Sequence, residues 1–210
     1  MADVTTNPYN GTNGNDNIQY NGSSNWTAYG NGGDDVLGGG YYVKNTIYGG
    51  SGNDTIAGRG YDDILSGGDG KDVLYGDYGN DILYGGAGND TLYAGYGNDT
   101  LNGYGSGTDI DYLYGGTGGD INKDTFILGD RTTGVYYRGT GYAVIGDFEF
   151  GDTIQLRGSS SQYTLSQSKN WEGDLNSTTP DTRIFYGNDL IGVVLNNTSV
   201  SFSRGDFTFV

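Results

Sequence analysis

The residues best equipped for chemistry in this sequence are its aspartates, and they recur at a fixed interval. Asp54, Asp63, Asp72, Asp81, Asp90 and Asp99 stand nine residues apart. Of the 26 acidic residues 24 are Asp, with only Glu149 and Glu172 as Glu, a bias that a merely solvating acidic surface would not need. Asp is the shorter carboxylate and sits well in turns, where it can reach a cation that backbone carbonyls help to hold. The chain has no His and no Cys, so thiolate or imidazole metal sites, a cysteine nucleophile and a Ser-His-Asp triad are all excluded. A hard cation bound by oxygen is the chemistry that remains. The net charge of −16 argues against nucleic acid or an anionic membrane as direct partner and calls for divalent counter-ions before the chain can become compact.

The aspartates belong to a nine-residue repeat. It is clearest in Gly49-Gly-Ser-Gly-Asn-Asp54-Thr-Ile56-Ala, Gly67-Gly-Asp-Gly-Lys-Asp72-Val-Leu74-Tyr and Gly85-Gly-Ala-Gly-Asn-Asp90-Thr-Leu92-Tyr. Units starting at Gly58, Gly76 and Ala94 complete an ungapped run, and weaker ones start at Gly11 (Asp16), Gly30 (Asp35), Gly40 (Asn45), Gly103 (Asp111) and Gly115. Residues 20–29 read as an insertion, and Tyr61 stands where the other units of the ungapped run have their fourth-position glycine. Glycine fills 42 positions; Gly49, Gly52, Gly67, Gly70, Gly79, Gly85, Gly88 and Gly97 are read as the turn formers.

Positions seven to nine can form a short strand with its middle side chain inward, and the first six residues are then expected to make the turn. Two units close one flattened coil, so each strand stacks in parallel on the strand two units away. Ile18, Leu37, Ile47, Ile56, Leu65, Leu74, Leu83, Leu92, Leu101 and Leu113 become a thin core. One aliphatic residue in nine does not offset a backbone ordering cost of roughly 1–2 kcal/mol per residue, so the coil needs another source of stability. The position-six residues are expected in two edge columns, Asp35, Asp54, Asp72, Asp90 and Asp111 on one edge and Asp16, Asn45, Asp63, Asp81 and Asp99 on the other, where they repel unless cations stand between them. Asn45 carries no charge, so a weak or empty site is expected there, and the edge with Asp54, Asp72 and Asp90 should be the better filled.

The pattern G-G-x-G-x-D-x-U-x, with U apolar, resembles the RTX (hemolysin-type) calcium-binding repeat. The resemblance implies an all-β parallel β-roll, a β-helix solenoid over residues 11–129, with calcium held by Asp16, Asp35, Asp54, Asp63, Asp72, Asp81, Asp90, Asp99 and Asp111. About six to eight ions are expected, since calcium takes oxygen ligands of this kind. Beyond residue 130 the period is lost, and alternating stretches such as 143–156, 182–186 and 190–195 read as a β cap over the last apolar layer. The closing Asp206-Phe-Thr-Phe-Val210 resembles the uncleaved signal for type I secretion. The resemblance therefore implies a secreted, extracellular protein that folds on external calcium. Beyond calcium binding a structural or adhesive role is expected, and the lack of His, Cys and a separate catalytic domain argues against an enzymatic one.

Residues 1–10 have neither a basic n-region nor an apolar h-region, carry no repeat, and read as a tail whose loss should change little. No run of eighteen apolar residues offers a transmembrane segment. Residues 159–180, rich in Ser, Asn and Thr, read as loop. The 20 tyrosines suggest a second kind of surface. Tyr75, Tyr93 and Tyr114 should stack on one sheet face, with Tyr48 and Tyr84 on the other, and Tyr42, Tyr78 and Tyr96 should share an edge. Such rows either stabilise the roll by cross-strand stacking or offer a stacking platform to a polysaccharide, as in a calcium-dependent carbohydrate-binding module, or to another cell-surface protein. Gly68-Asp-Gly-Lys71 lacks the Ser or Thr and the helix of a phosphate loop, and the adjacent pairs Asp34/Asp35 and Asp62/Asp63 are turn residues rather than a hydrolase dyad.

Overall fold

A computed structural model describes residues 2–4, 7–103, 108–116, 122–130, 134–135, 137, 140–168, 179–195, 197 and 199–210. Among the described residues two largely parallel sheets, of eleven and nine strands, face each other, and from Ala2–Val4 to Thr125–Ile127 successive strands alternate between them, which is the path of a β-roll. The stacking register is the one the period demands: Ile56 pairs with Leu74 and Leu74 with Leu92 in one sheet, and Leu65 with Leu83 and Leu83 with Leu101 in the other. All ten expected core residues are buried.

The strands are longer and the turns shorter than the sequence suggested. A typical strand, Val73–Tyr78, runs through position nine into positions one to three of the next unit, burying Leu74 and Gly76. This is possible because position two adopts a left-handed backbone that bends the strand without breaking its pairing. Gly50, Gly68, Gly86 and Gly95 take it there, and so do Asn31, Arg59 and Asp77. Position four takes it too, at Gly52, Gly70, Gly79, Gly88 and Gly97, and Tyr61 keeps the same turn at φ 69° without glycine's freedom. Gly49, Gly67 and Gly85, at position one, have no such backbone; their lack of a side chain serves the site described below.

Four parts of the chain depart from expectation. Residues 20–29 are a full unit in disguise: Trp26–Gly32 is a strand whose Ala28 lies beside Ile47 in the core, with Trp26 paired to Asn45. Trp26 stacks on Tyr20 at 4.9 Å, and both are buried. Aromatic packing therefore replaces the motif in this coil. The N-terminal stretch read as a tail contains strands, since Ala2–Val4 pairs with Asn17–Tyr20, and Tyr9–Asn10 with Trp26–Gly32. In the following unit Gly39, not Gly40, takes position one, because the unit holds one extra residue; the backbone N–H of Gly39 bonds to Ala57 O at 2.8 Å. At the far end, Tyr142–Ile145 and Asp189–Val194 extend the first sheet in parallel, while Thr153–Leu156 and Phe207–Phe209 extend the second. Two further coils thus cover the last repeat, and antiparallel Asp181–Tyr186 and Tyr163–Ser168 close the edge. Tyr163–Ser168 falls in the stretch read as loop, of which residues 169–178 lie outside the described residues.

The tyrosine rows form as ladders with one exception. Tyr75, Tyr93 and Tyr114 stack at 5.2 and 5.0 Å, and Tyr78 stacks on Tyr96 at 5.0 Å. On the other sheet Tyr48 stacks on Tyr29, while Ser66 separates it from Tyr84. Tyr42 does not join the edge row: the extra residue shifts it out of register, Tyr41 neighbours Gly60, and Gly60 is what pairs with Tyr78.

If the N-terminal coil is part of the roll, deleting residues 1–10 should lower the calcium-bound melting temperature by uncovering the Tyr20–Trp26 layer. Leu83→Ala, which removes a fully buried side chain, sets the scale at about 2–5 kcal/mol. Thermal melts of both variants decide this; an unchanged melt for the deletion would return those residues to the status of a tail.

Candidate metal centre

Position six is where strand turns back toward strand, and the short Asp side chain there folds against its own turn. One carboxylate oxygen, Oδ1, accepts a hydrogen bond from the position-six backbone N–H of the coil before it. On one edge Asp16 N–H donates to Asp35, Asp35 to Asp54, Asp54 to Asp72, Asp72 to Asp90 and Asp90 to Asp111, at 2.7–2.9 Å. On the other edge Asn45 donates to Asp63, Asp63 to Asp81, Asp81 to Asp99, Asp99 to Asp124 and Asp124 to Asp152, at 2.6–2.9 Å. Two columns therefore exist as expected, with one correction. Asp16 belongs to the Asp35 column, because the disguised unit at residues 20–29 adds the half-coil that the sequence reading left out.

The second oxygen has no such partner. Among the described residues, Oδ2 of Asp35, Asp54, Asp63, Asp72, Asp81, Asp90 and Asp99 is buried with no hydrogen-bond partner. A buried, unpartnered carboxylate oxygen carries a desolvation cost that a fold tolerates only if something absent from the protein satisfies it. Six of the seven lie against the glycine at position one of their own unit. A Cβ placed on Gly49 would collide with Asp54 Oδ2 and sit 2.6 Å from the carbonyl oxygen of Gly67; one on Gly67 would meet Asp72 Oδ2 and Gly85 O in the same way. The missing side chain at position one thus leaves a small cradle, walled by a carboxylate oxygen and a carbonyl oxygen of the next coil. Gly30 and Gly76 repeat it with Asp35 and Asp81. Ala94 is the exception, at position one of the unit of Asp99.

No three His, Cys, Asp or Glu side chains converge on one point among the described residues, so the donors are one carboxylate per coil plus backbone carbonyls. That is the donor set of a hard cation, not of zinc. The electrostatics agree. Burial pushes the carboxyls of Asp54 and Asp72 up to about 6, those of Asp63, Asp81, Asp99, Asp111 and Asp124 up to about 7, and that of Asp90 up to about 8. The N–H bond to Oδ1 opposes this shift, and neighbouring carboxylates add to it for most members of the columns. Asp35 is raised for the same first reason.

Two nominated ligands differ from the seven. Oδ2 of Asp16 accepts the Thr12 N–H at 2.7 Å, and Oδ2 of Asp111 accepts the Tyr137 hydroxyl at 2.7 Å. Two column members went unnominated, Asp124 and Asp152. Their signal was present in Asp124-Thr-Phe126 and Asp152-Thr-Ile154, which repeat the Asp-Thr-apolar step of Asp54, Asp90 and Asp99 outside the glycine motif. Position five was also missed. Its Asn and Asp side chains hold the neighbouring turn, as Asn53 Oδ1 does for Lys71 N–H at 2.9 Å and Asn80 Oδ1 for Asn98 N–H at 2.9 Å.

A family model described as the RTX calcium-binding nonapeptide repeat, in four copies, matches residues 48–83 and 75–110. Residues 48–110 are RTX calcium-binding repeats. The RTX repeats bind calcium, and the donor set of the two columns fits that ion. Among solved structures, the AlgE6R3 subunit of a mannuronan C5-epimerase from Azotobacter vinelandii is similar at 18% identity, over 99% of this chain and 83% of that one, with a TM-score of 0.32. The extracellular lipase LipA from Serratia marcescens is similar at 17% identity, over 99% of this chain and 40% of that one, with a TM-score of 0.23. No curated protein matches the chain.

The raised carboxyls fix the pH response of the RTX columns. In the calcium-free fold they keep protons that the unfolded chain, with carboxyls near 3.9, has already lost, so stability falls as pH rises from about 4 to about 8. Chelated protein should therefore gain β circular dichroism on acidification from pH 8 to pH 5, while calcium affinity falls over the same range. A chelated protein equally unfolded at both pH values would contradict the burial of these groups.

Proposed function

We propose that this protein is an extracellular structural roll whose folding is switched on by calcium, with Asp35, Asp54, Asp63, Asp72, Asp81, Asp90 and Asp99 as the carboxylate ligands. The observation that carries this reading is the set of seven buried, unpartnered Oδ2 atoms, four of which (Asp35, Asp54, Asp72 and Asp81) share the space beside their position-one glycine with a carbonyl oxygen of the next coil. A bound ion would turn the repulsion within each column into attraction and complete the oxygen shells, adding the stability that two aliphatic residues per coil cannot supply. About seven ions would satisfy the seven oxygens, one for each, in keeping with calcium's preference for oxygen donors.

Export by a type I route, before folding, fits a chain that needs external calcium to become compact. The Phe207–Phe209 segment that resembles the secretion signal is the last strand of the nine-stranded sheet, so a signal there would be read before the roll closes. No helix is long and apolar enough to cross a membrane among the described residues. The role we assign is mechanical or adhesive rather than catalytic. A polysaccharide-stacking role for the tyrosines finds less support in their geometry. The rings of Tyr75, Tyr93 and Tyr114 lie within 11° of parallel and cover one another's faces, whereas a sugar stacks on a free face.

Far-ultraviolet circular dichroism during cation titration tests the proposal. Calcium at millimolar concentration should produce a large cooperative gain of β signal from a chelated, largely disordered chain. Magnesium should do so poorly, because it demands a small octahedral shell and keeps its waters. A full β spectrum in chelator, or equal folding by both ions, would defeat the proposal.

A further inference from the structure

The two columns end, and at each end a neutral donor of the protein stands where the open oxygen would otherwise be. The fullest case is Asn45, the column member before Asp63. It is buried, its Oδ1 accepts the Gly40 N–H at 3.0 Å, and the two N–H groups of its Nδ2 have four acceptor oxygens within reach, Asp63 Oδ1 at 2.9 Å, Val43 O at 3.0 Å, Gly58 O at 3.1 Å and Gly40 O at 3.3 Å. An amide nitrogen ringed by four oxygens occupies surroundings that would suit a small cation. The cradle is also the same one. A Cβ placed on Gly39 would meet Asn45 Nδ2 and Gly58 O, both at 2.7 Å, just as one on Gly49 would meet Asp54 Oδ2 and Gly67 O. Where Asp54 sets two oxygens side by side, which needs a cation between them, Asn45 sets an N–H against the carbonyl and needs none.

The opposite end of the other column is closed by different chemistry. Tyr137, fully buried, donates its hydroxyl to Asp111 Oδ2 at 2.7 Å, and a Cβ placed on Gly103 would meet that same hydroxyl oxygen at 2.6 Å and Oδ2 at 2.7 Å. At the two remaining ends Asp16 Oδ2 accepts from Thr12 N–H, and Asp152 Oδ2 accepts from Glu149 N–H at 2.8 Å. The unpartnered oxygens lie strictly between these four residues.

We infer that neutral protein donors terminate the calcium columns by filling the ion's position, with the Asn45 amide and the Tyr137 hydroxyl as built-in substitutes for a cation. Two consequences follow. The terminal coils keep their turns without calcium, which leaves folded templates beside the coils that need the ion. Each plug also conceals a latent calcium site that a single substitution should open: Asn45→Asp replaces a donor by an acceptor and a charge, and Tyr137→Phe removes the hydroxyl and leaves Asp111 Oδ2 unpartnered while keeping the ring.

The inference rests on the calcium reading of the columns, and titration calorimetry on the full-length chain separates the two. Wild type should bind a fixed number of calcium ions, and Asn45→Asp and Tyr137→Phe should each bind one more. In chelator both variants should show less β circular dichroism than wild type and regain it in calcium. A wild type that binds no calcium would sink the underlying reading. A wild type that binds, with variants that bind no additional ion, would overturn the plugs alone. Should Asn45→Asp fail to fold even in saturating calcium, the inference is likewise wrong for that position, and Tyr137→Phe, nearly isosteric, decides the other.

Discussion

A row of like charges, buried and in register, is the constraint on which this roll depends. Every second turn brings a carboxylate above a carboxylate, with one oxygen satisfied by the neighbouring backbone and, in the seven inner residues from Asp35 to Asp99, the other left without a hydrogen-bond partner in the protein. Left alone, such columns carry repulsion and desolvation that stand against a thin core of two aliphatic side chains per coil. A calcium ion held between the carboxylates, as we propose, would reverse the sign of that interaction.

The remaining features serve to place those oxygens. Nine residues per half-coil bring position six back over itself, and Asp rather than Glu keeps the carboxylate short enough to bond the adjacent turn. Glycine at position one makes room beside Oδ2, while glycine at positions two and four permits the left-handed backbone that returns the strand. Where the ion position is plugged, the composition relaxes accordingly. Trp26, Tyr20 and Asn45 stabilise the first coils by packing and by an amide, and Ile145, Ile154 and Val194 do so in the last ones.

That division explains which parts of the molecule were legible in the sequence. The repeat motif encodes the cation site, so its register, the core leucines, most of both columns and the Tyr75–Tyr93–Tyr114 ladder could be read from spacing alone. The parallel coil itself asks much less: one inward apolar residue and free backbone groups at the strand edges. Coils without a cation position therefore shed the motif while keeping the fold. Residues 20–29 looked like an insertion because Trp26 fills position six, and that error displaced Asp16 to the wrong column. Tyr9 and Ala2–Val4 joined the roll without any repeat signature, and Asp124 and Asp152 stood in the columns without their glycines. The single extra residue near Gly40 moved Tyr42 off its row, a one-residue shift that spacing could not resolve between two adjacent glycines and two adjacent tyrosines.

The central claim is that a cation completes each open carboxylate oxygen, and anomalous diffraction from crystals grown in calcium addresses it directly. The account requires a calcium peak at bonding distance, about 2.3–2.6 Å, from Oδ2 of Asp35, Asp54, Asp63, Asp72, Asp81, Asp90 and Asp99, with none at Asn45 Nδ2. Well-ordered turns with those seven oxygens bonded only to water, and calcium bound elsewhere on the acidic surface, would contradict it.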